Sequence, residues 1–120
     1  MDILTNIIQI IVPAGILNVW LLRSTKATAY RGGDAKTLKE EFQTYGLPEA
    51  AFYAIGLLKI TASLAIWGGF LFPPLLPLGS AVLALLMAGA ISMHIKVGDP
   101  AQKFIPATLM LLLSIWLFLA

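Results

Sequence analysis

The chain has no cysteine in its 120 residues. That excludes a disulfide scaffold, a thiol relay and a thiolate metal site. Charge is also scarce: Lys, Arg, Asp and Glu make up 12% of the residues, about half the roughly 25% usual for soluble domains. A disordered segment needs far more polar sequence than this. A net charge of +2 points to no nucleic-acid partner. A single histidine excludes bis-histidine haem ligation, and the Glu-x-x-His pairs of di-metal bundles do not occur, so no metal is expected. Gly32-Gly33 lacks the lysine-terminated spacing of a phosphate loop. What the chain has in quantity is apolar surface, at 59% hydrophobic residues and a mean hydropathy of +0.89.

At about 20 apolar residues per bilayer crossing, this length holds one domain of four crossings. The first span runs from Ile3 to Leu22 without a charge. With Asp2 ahead of it and no basic flank, it reads as a retained anchor rather than a signal peptide. Between Ile60 and Ile95 no residue carries a formal charge, and Phe72-Pro73-Pro74-Leu75-Leu76-Pro77 divides that stretch. Prolines lack a backbone donor and restrict the residue before them. The expectation is therefore two spans, 51–72 and 75–95, joined by a tight hairpin, and a last span over 104–120. The fold class is all-α, an integral membrane four-helix bundle.

Charge then sets an orientation. The loop over residues 23–50 contains Arg23, Lys26, Arg31, Lys36 and Lys39, and the loop over 96–103 contains Lys96 and Lys103. With four crossings both basic loops share one face, and the positive-inside rule makes that face cytoplasmic. Both termini are then outside, as expected of a multi-pass protein of a bacterial inner membrane. A cysteine-accessibility map that placed Pro74 on the inner face would overturn this topology. Within the first loop, Leu38, Phe42 and Tyr45 recur at helical spacing, and Gly46 and Pro48 stop the pattern. Thr37 and Glu40 have capping-box spacing, with Asp34 a rival cap. This predicts a short amphipathic helix, lying either at the membrane interface or against the underside of the bundle. Trp20, Tyr45, Phe52 and Tyr53 at the inner end, and Trp67, Phe70, Phe72, Trp116 and Phe118 at the outer end, have the placing of interfacial belts.

Each span places a polar side chain toward the basic loops: Asn18, Lys59, His94 and Thr108. Lys59 and His94 lie sixteen and nineteen residues from Leu75, a difference in height of only about 4–5 Å. An unpaired Lys at the bilayer centre costs roughly 2.5–3.5 kcal/mol, which makes Lys59 a candidate for ligand or proton handling. At about 12 Å from the helix start it could also snorkel, or pair with Asp99. His94 is either a local hydrogen-bonding group or a proton-exchanging partner of Lys59. Ser80, Ala84, Ala88 and Ser92 recur every four residues, a small-residue stripe suited to close helix packing or to a homo-oligomer seam. Ala62, Ala65 and Gly69 offer a second small face.

Three passages also resemble a known family. They are Phe42-Gln43-Thr44-Tyr45-Gly46-Leu47-Pro48 after the basic end of span one, then Ile55-Gly56-Leu57-Leu58-Lys59-Ile60, then His94-Ile95-Lys96-Val97-Gly98-Asp99-Pro100. In order and spacing they are similar to the DoxX-like family of small bacterial membrane proteins. The resemblance implies a four-helix membrane bundle. It also brings an association with quinone-linked sulfur oxidation through the subunit that names the family. Relatives nearer that subunit often carry Glu where this chain has Lys59.

Two functions follow from the residues. One is a structural or accessory subunit of a membrane complex, with its basic loop docking partner subunits or anionic lipid. The other is a protein that binds a quinone or another lipophilic small molecule, with Lys59, His94 and Asn18 donating to carbonyl oxygens. A minimal transporter is a weaker third reading, because an intramembrane carboxylate and paired broken helices are missing.

Overall fold

A computed structural model of the chain describes residues 2–120. It is all-helical, and four helices are long and apolar enough to cross a membrane. Helix α1 (Ile3–Leu17) is capped by the Asp2 side chain, which accepts from the Thr5 N–H, and it continues as a π-helical turn over Asn18–Leu22. Pro13 sits inside α1 without ending it. Helix α2 (Leu38–Thr44) opens on a full capping box, with Thr37 as the cap and Glu40 bonding back. The alternative cap, Asp34, is not used.

Helix α3 (Glu49–Gly68) begins two residues earlier than the sequence suggests and stops four residues short of Phe72. At its start, Pro48 is in extended conformation and Glu49 in the first turn complements the helix dipole. At its end, Gly68 and Gly69 hold a helix poorly, and Pro73 keeps the preceding residue out of helical conformation. Helix α4 (Leu75–Lys96) follows the hairpin. Helix α5 (Ile105–Leu119) is preceded by a 3-10 turn over Ala101–Phe104, so the last crossing starts at Ala101.

The four long helices close into a ring: α1 packs on α3, α3 on α4, α4 on α5, and α5 returns to α1. The longest dimension, 41 Å, covers a hydrocarbon core of about 30 Å with its headgroup margins. Leu57, Leu85 and Leu112 point outward, while Val12, Ile66, Leu83 and Leu117 fill the interior. Lipid tails are as apolar as leucine, so the ring is held by close packing and interhelical hydrogen bonds rather than by hydrophobic expulsion. Two such bonds involve tryptophans: Trp67 Nε1 donates to the Ile10 carbonyl at 3.1 Å, and Trp116 Nε1 to Thr5 Oγ1 at 3.0 Å.

The small residues of α3 and α4 do meet, at a position the four-residue stripe omits. Gly79 lies so close to α3 that a Cβ there would come within 2.7 Å of the Ala62 carbonyl and 3.1 Å of Ala65 Cβ. Beyond this point the buried face of α4 continues through Ser80, Leu83, Met87 and His94. The stripe leaves the seam because a four-residue step overshoots a helical turn by about 40°. Ser80 is buried, Ala84 is half-buried, and Ala88 and Ser92 are exposed on the outside of the bundle. Ser80 and Ser92 each bond back to a carbonyl of their own helix, those of Leu76 and Ala88.

Candidate functional site

The loop end of the bundle is closed by a polar layer centred on Asp99. Its side chain is only 5% exposed, and Oδ2 lies 2.8 Å from His94 Nδ1. A carboxylate only accepts hydrogen bonds, so Nδ1 carries the proton and donates it. Asp99 Oδ1 accepts from the Gly33 backbone N–H at 3.0 Å. The Lys103 ammonium stands 4.0 Å away and donates to the Gly33 carbonyl. Burial works against the charged carboxylate. The hydrogen bonds from His94 and Gly33, with the charges of His94 and Lys103, outweigh burial and hold its pKa below the usual range.

On the other side of His94, Nε2 lies 3.3 Å from the Tyr45 hydroxyl, which donates to Glu41 Oε1 at 2.8 Å. Burial first, then the Glu41 carboxylate, push the Tyr45 phenol far above its ordinary range, so it remains a hydrogen-bond donor. The result is a chain of contacts from Glu41 through Tyr45 and His94 to Asp99. It ties α2 and the first loop to the end of α4. Lys96 adds a bond from its ammonium to the Tyr45 carbonyl at 2.9 Å.

Leu38, Phe42 and Tyr45 are all buried, so the apolar stripe of the first loop faces the bundle instead of lying open to headgroups. Tyr45 and Trp20 are therefore packing residues rather than belt residues. Trp20 meets Phe42 edge-on at 5.8 Å and stacks on Phe52 at 5.2 Å. The Trp20 ring fills the notch left by Gly56, where a Cβ would come within 2.5 Å of it.

Above this layer is a cavity of about 340 Å³. Its apolar wall comes from Ile16 and Val19 on α1 and its π turn, Met87 and Ala90 on α4, and Ala107 and Met110 on α5. Its polar lining includes Asn18, Arg23, Arg31, Glu41, Lys59, His94 and Lys103. Five lining residues are exposed: Asn18, Val19, Arg23, Tyr30 and Pro106. The mouth therefore lies between the end of α1, the first loop and the start of α5.

Lys59 does not reach Asp99. Its ammonium sits 5.5 Å from the centroid of the Trp20 ring, a cation–π contact worth about 0.5–2 kcal/mol. None of the ion pairs among the described residues includes Lys59. Arg31 is 5% exposed and donates through Nη2 to the carbonyls of Arg23 at 2.8 Å and Lys26 at 3.2 Å. Its Nε is buried without a partner. Burial lowers the Arg31 pKa from its ordinary value, and Glu41 nearby works in the opposite direction.

The structure brings Asn18, Lys59 and His94 to one cavity, with Asp99 supporting His94 from behind. Thr108 does not join them. It is absent from the lining, and its hydroxyl bonds back to the Phe104 carbonyl at 3.0 Å. Sequence reasoning missed Arg31 and Glu41 as lining residues, and Tyr45 as the partner of His94. It also missed Gln9, which is fully buried near the hairpin end and donates from Nε2 to the Ile66 carbonyl at 2.8 Å. Among the described residues, no three His, Cys, Asp or Glu side chains converge as a metal site requires.

Residues 21–117 match the family model described as the DoxX-like family. Neither a curated protein nor a solved structure matches the chain. The matched region begins at the last two residues of the π turn and takes in α2 and nearly all of the remaining three crossings, including every polar lining residue named above except Asn18. With four membrane-length helices and a match over most of its length, the chain belongs to the DoxX-like family.

Proposed function

We propose that this protein binds a lipophilic small molecule of quinone-like size in the cavity at the polar end of its bundle. The observation that carries this reading is a cavity whose lining combines apolar side chains with the donors Lys59, Asn18 and Arg31. Its volume of about 340 Å³ lies within the usual range for ligand sites, about 300–1,000 Å³. Lys59, Asn18 and Arg31 line it, and a bound carbonyl or other acceptor would satisfy them. The exposed lining residues at the end of α1 and the start of α5 mark an opening through which an apolar tail would continue outward. By the positive-inside argument, this end of the bundle faces the cytoplasm of a bacterial inner membrane.

An accessory role in a membrane complex is compatible with such binding, since a loaded subunit can present its ligand to a partner. A purely structural subunit has different properties. The test is purification in mild detergent, followed by extraction and mass analysis of co-purifying lipids and quinones. We expect a stoichiometric lipophilic molecule in the wild type and loss of at least nine-tenths of it in Lys59→Met. Wild-type protein that carries no ligand, with Lys59→Met lowering only thermal stability, would show the polar layer to be structural.

A further inference from the structure

The cavity's charge narrows the class of ligand. Four cationic side chains line it, Arg23, Arg31, Lys59 and Lys103, against one carboxylate, Glu41. Lys103 is held by the Gly33 carbonyl and stands near Asp99, so its charge is answered from outside the cavity. Glu41 receives the Tyr45 hydroxyl, and its single charge is shared between Arg31 and Lys59. One carboxylate thus stands against two enclosed cations, while Arg23 is exposed at the mouth, and no ion pair among the described residues uses Lys59 or Arg31. The Arg31 side chain is buried, with its Nε donor unbonded. Nearby cations under a low-dielectric wall repel one another, and unbonded donors away from water are costly. A neutral carbonyl would satisfy one or two donors but leave the charge in place. An oxyanion answers both, because each of its oxygens accepts charge-assisted hydrogen bonds and a guanidinium is shaped to give them.

We propose that the ligand is a lipophilic anion: an apolar body lying against Met87, Ala107 and Met110, with an oxyanion head group at Lys59 and Arg31. This rests on the binding role proposed above and names its chemistry. A free long-chain carboxylic acid and the phosphate of an anionic membrane lipid both have this form.

The test uses the full-length protein in neutral detergent, with 11-dansylaminoundecanoic acid and its methyl ester as fluorescent probes. The acid is expected to bind at least tenfold more tightly than the ester. Lys59→Met should remove that preference, and Lys59→Arg should keep it, which separates charge from folding. Equal affinity for acid and ester, with both displaced by a short-chain quinone, would overturn the anion and leave the cavity as a neutral-ligand site. Failure of both probes to bind would overturn the binding role as well. Nanodiscs distinguish the sources. If phosphatidylglycerol competes with the acid probe and phosphatidylcholine does not, the anion is a lipid head group. If neither lipid competes while the acid still binds, it is a free carboxylate.

Discussion

Asp99→Ala is expected to cost about 3–5 kcal/mol, the range for breaking a buried charge-assisted pair by removing one partner. The carboxylate accepts from the Gly33 N–H and from His94 Nδ1–H, and both donors are orphaned when it is lost. His94 is only 4% exposed, so water cannot replace the missing acceptor without opening the layer. The damage should concentrate in residues 24–37, because Gly33 is that loop's attachment to the far side of the bundle. Thermal unfolding in detergent, with hydrogen exchange across residues 24–37, measures both parts. Asp99→Asn keeps one acceptor oxygen and should lose less. An unchanged melting temperature together with unchanged protection of the loop would show that the Asp99 contacts do not hold it.

The same contact predicts a pH dependence. The Asp99 pKa is lowered in the folded protein, so in that range the unfolded chain binds more protons. Its contribution is complete above the unfolded value of about 3.9 and declines as pH falls below that toward the folded value. Loop protection in the wild type should therefore weaken below about pH 4, while Asp99→Asn should lack this step.

The second large effect is expected at Gly79→Leu. The ideal Cβ position already lies 2.7 Å from the Ala62 backbone carbonyl and 3.1 Å from the Ile66 side chain. A carbonyl in the middle of a helix cannot step aside, so α3 and α4 must separate. We expect a loss of about 3 kcal/mol, the upper part of the range for overpacking. Gly89, ten residues along the same helix, has nothing within 4 Å of its Cβ position. Gly89→Ala should therefore stabilise by up to about 1 kcal/mol through helix propensity. Equal thermal shifts at the two positions would mean that the α3–α4 contact is not the tight one.

The crossings were legible because hydropathy and proline placement are local properties, and they survive whatever the chain packs against. The turn that ended α3 at Gly68 was also local, but two glycines weakened the helix before the prolines acted. The seam of α4 was only half readable. Ser80 was marked by its size, whereas Leu83 and Met87 look like any lipid-facing residue. In a membrane bundle, leucine does not distinguish inside from outside.

The cavity was legible through Lys59 and His94, which stand out against an apolar background. Arg31 and Glu41 did not stand out, because they occur among other charges in a loop. Only the fold shows that the loop turns back beneath the helices. Tyr45 had the placing of an interfacial aromatic, and its contact with His94 spans 49 positions. A pairing across that distance leaves no local pattern. Gln9 lies in the half of α1 away from the basic loops, so nothing in the charge pattern points to it, although its amide is among the most deeply buried polar groups.

The ring of helices closes between its first and last members, with Trp116 of α5 reaching Thr5 of α1. Those two helices also form the sides of the cavity mouth. During synthesis α1 emerges well before α5, so the mouth has only one jamb until α5 has been added. A nascent chain with three crossings inserted would present Lys59 and Arg31 on an open groove, where any passing headgroup could occupy them. The cavity is thus completed late, with the arrival of Pro106, Ala107 and Met110, and α5 sets both the shape of the compartment and the time at which it begins to exist.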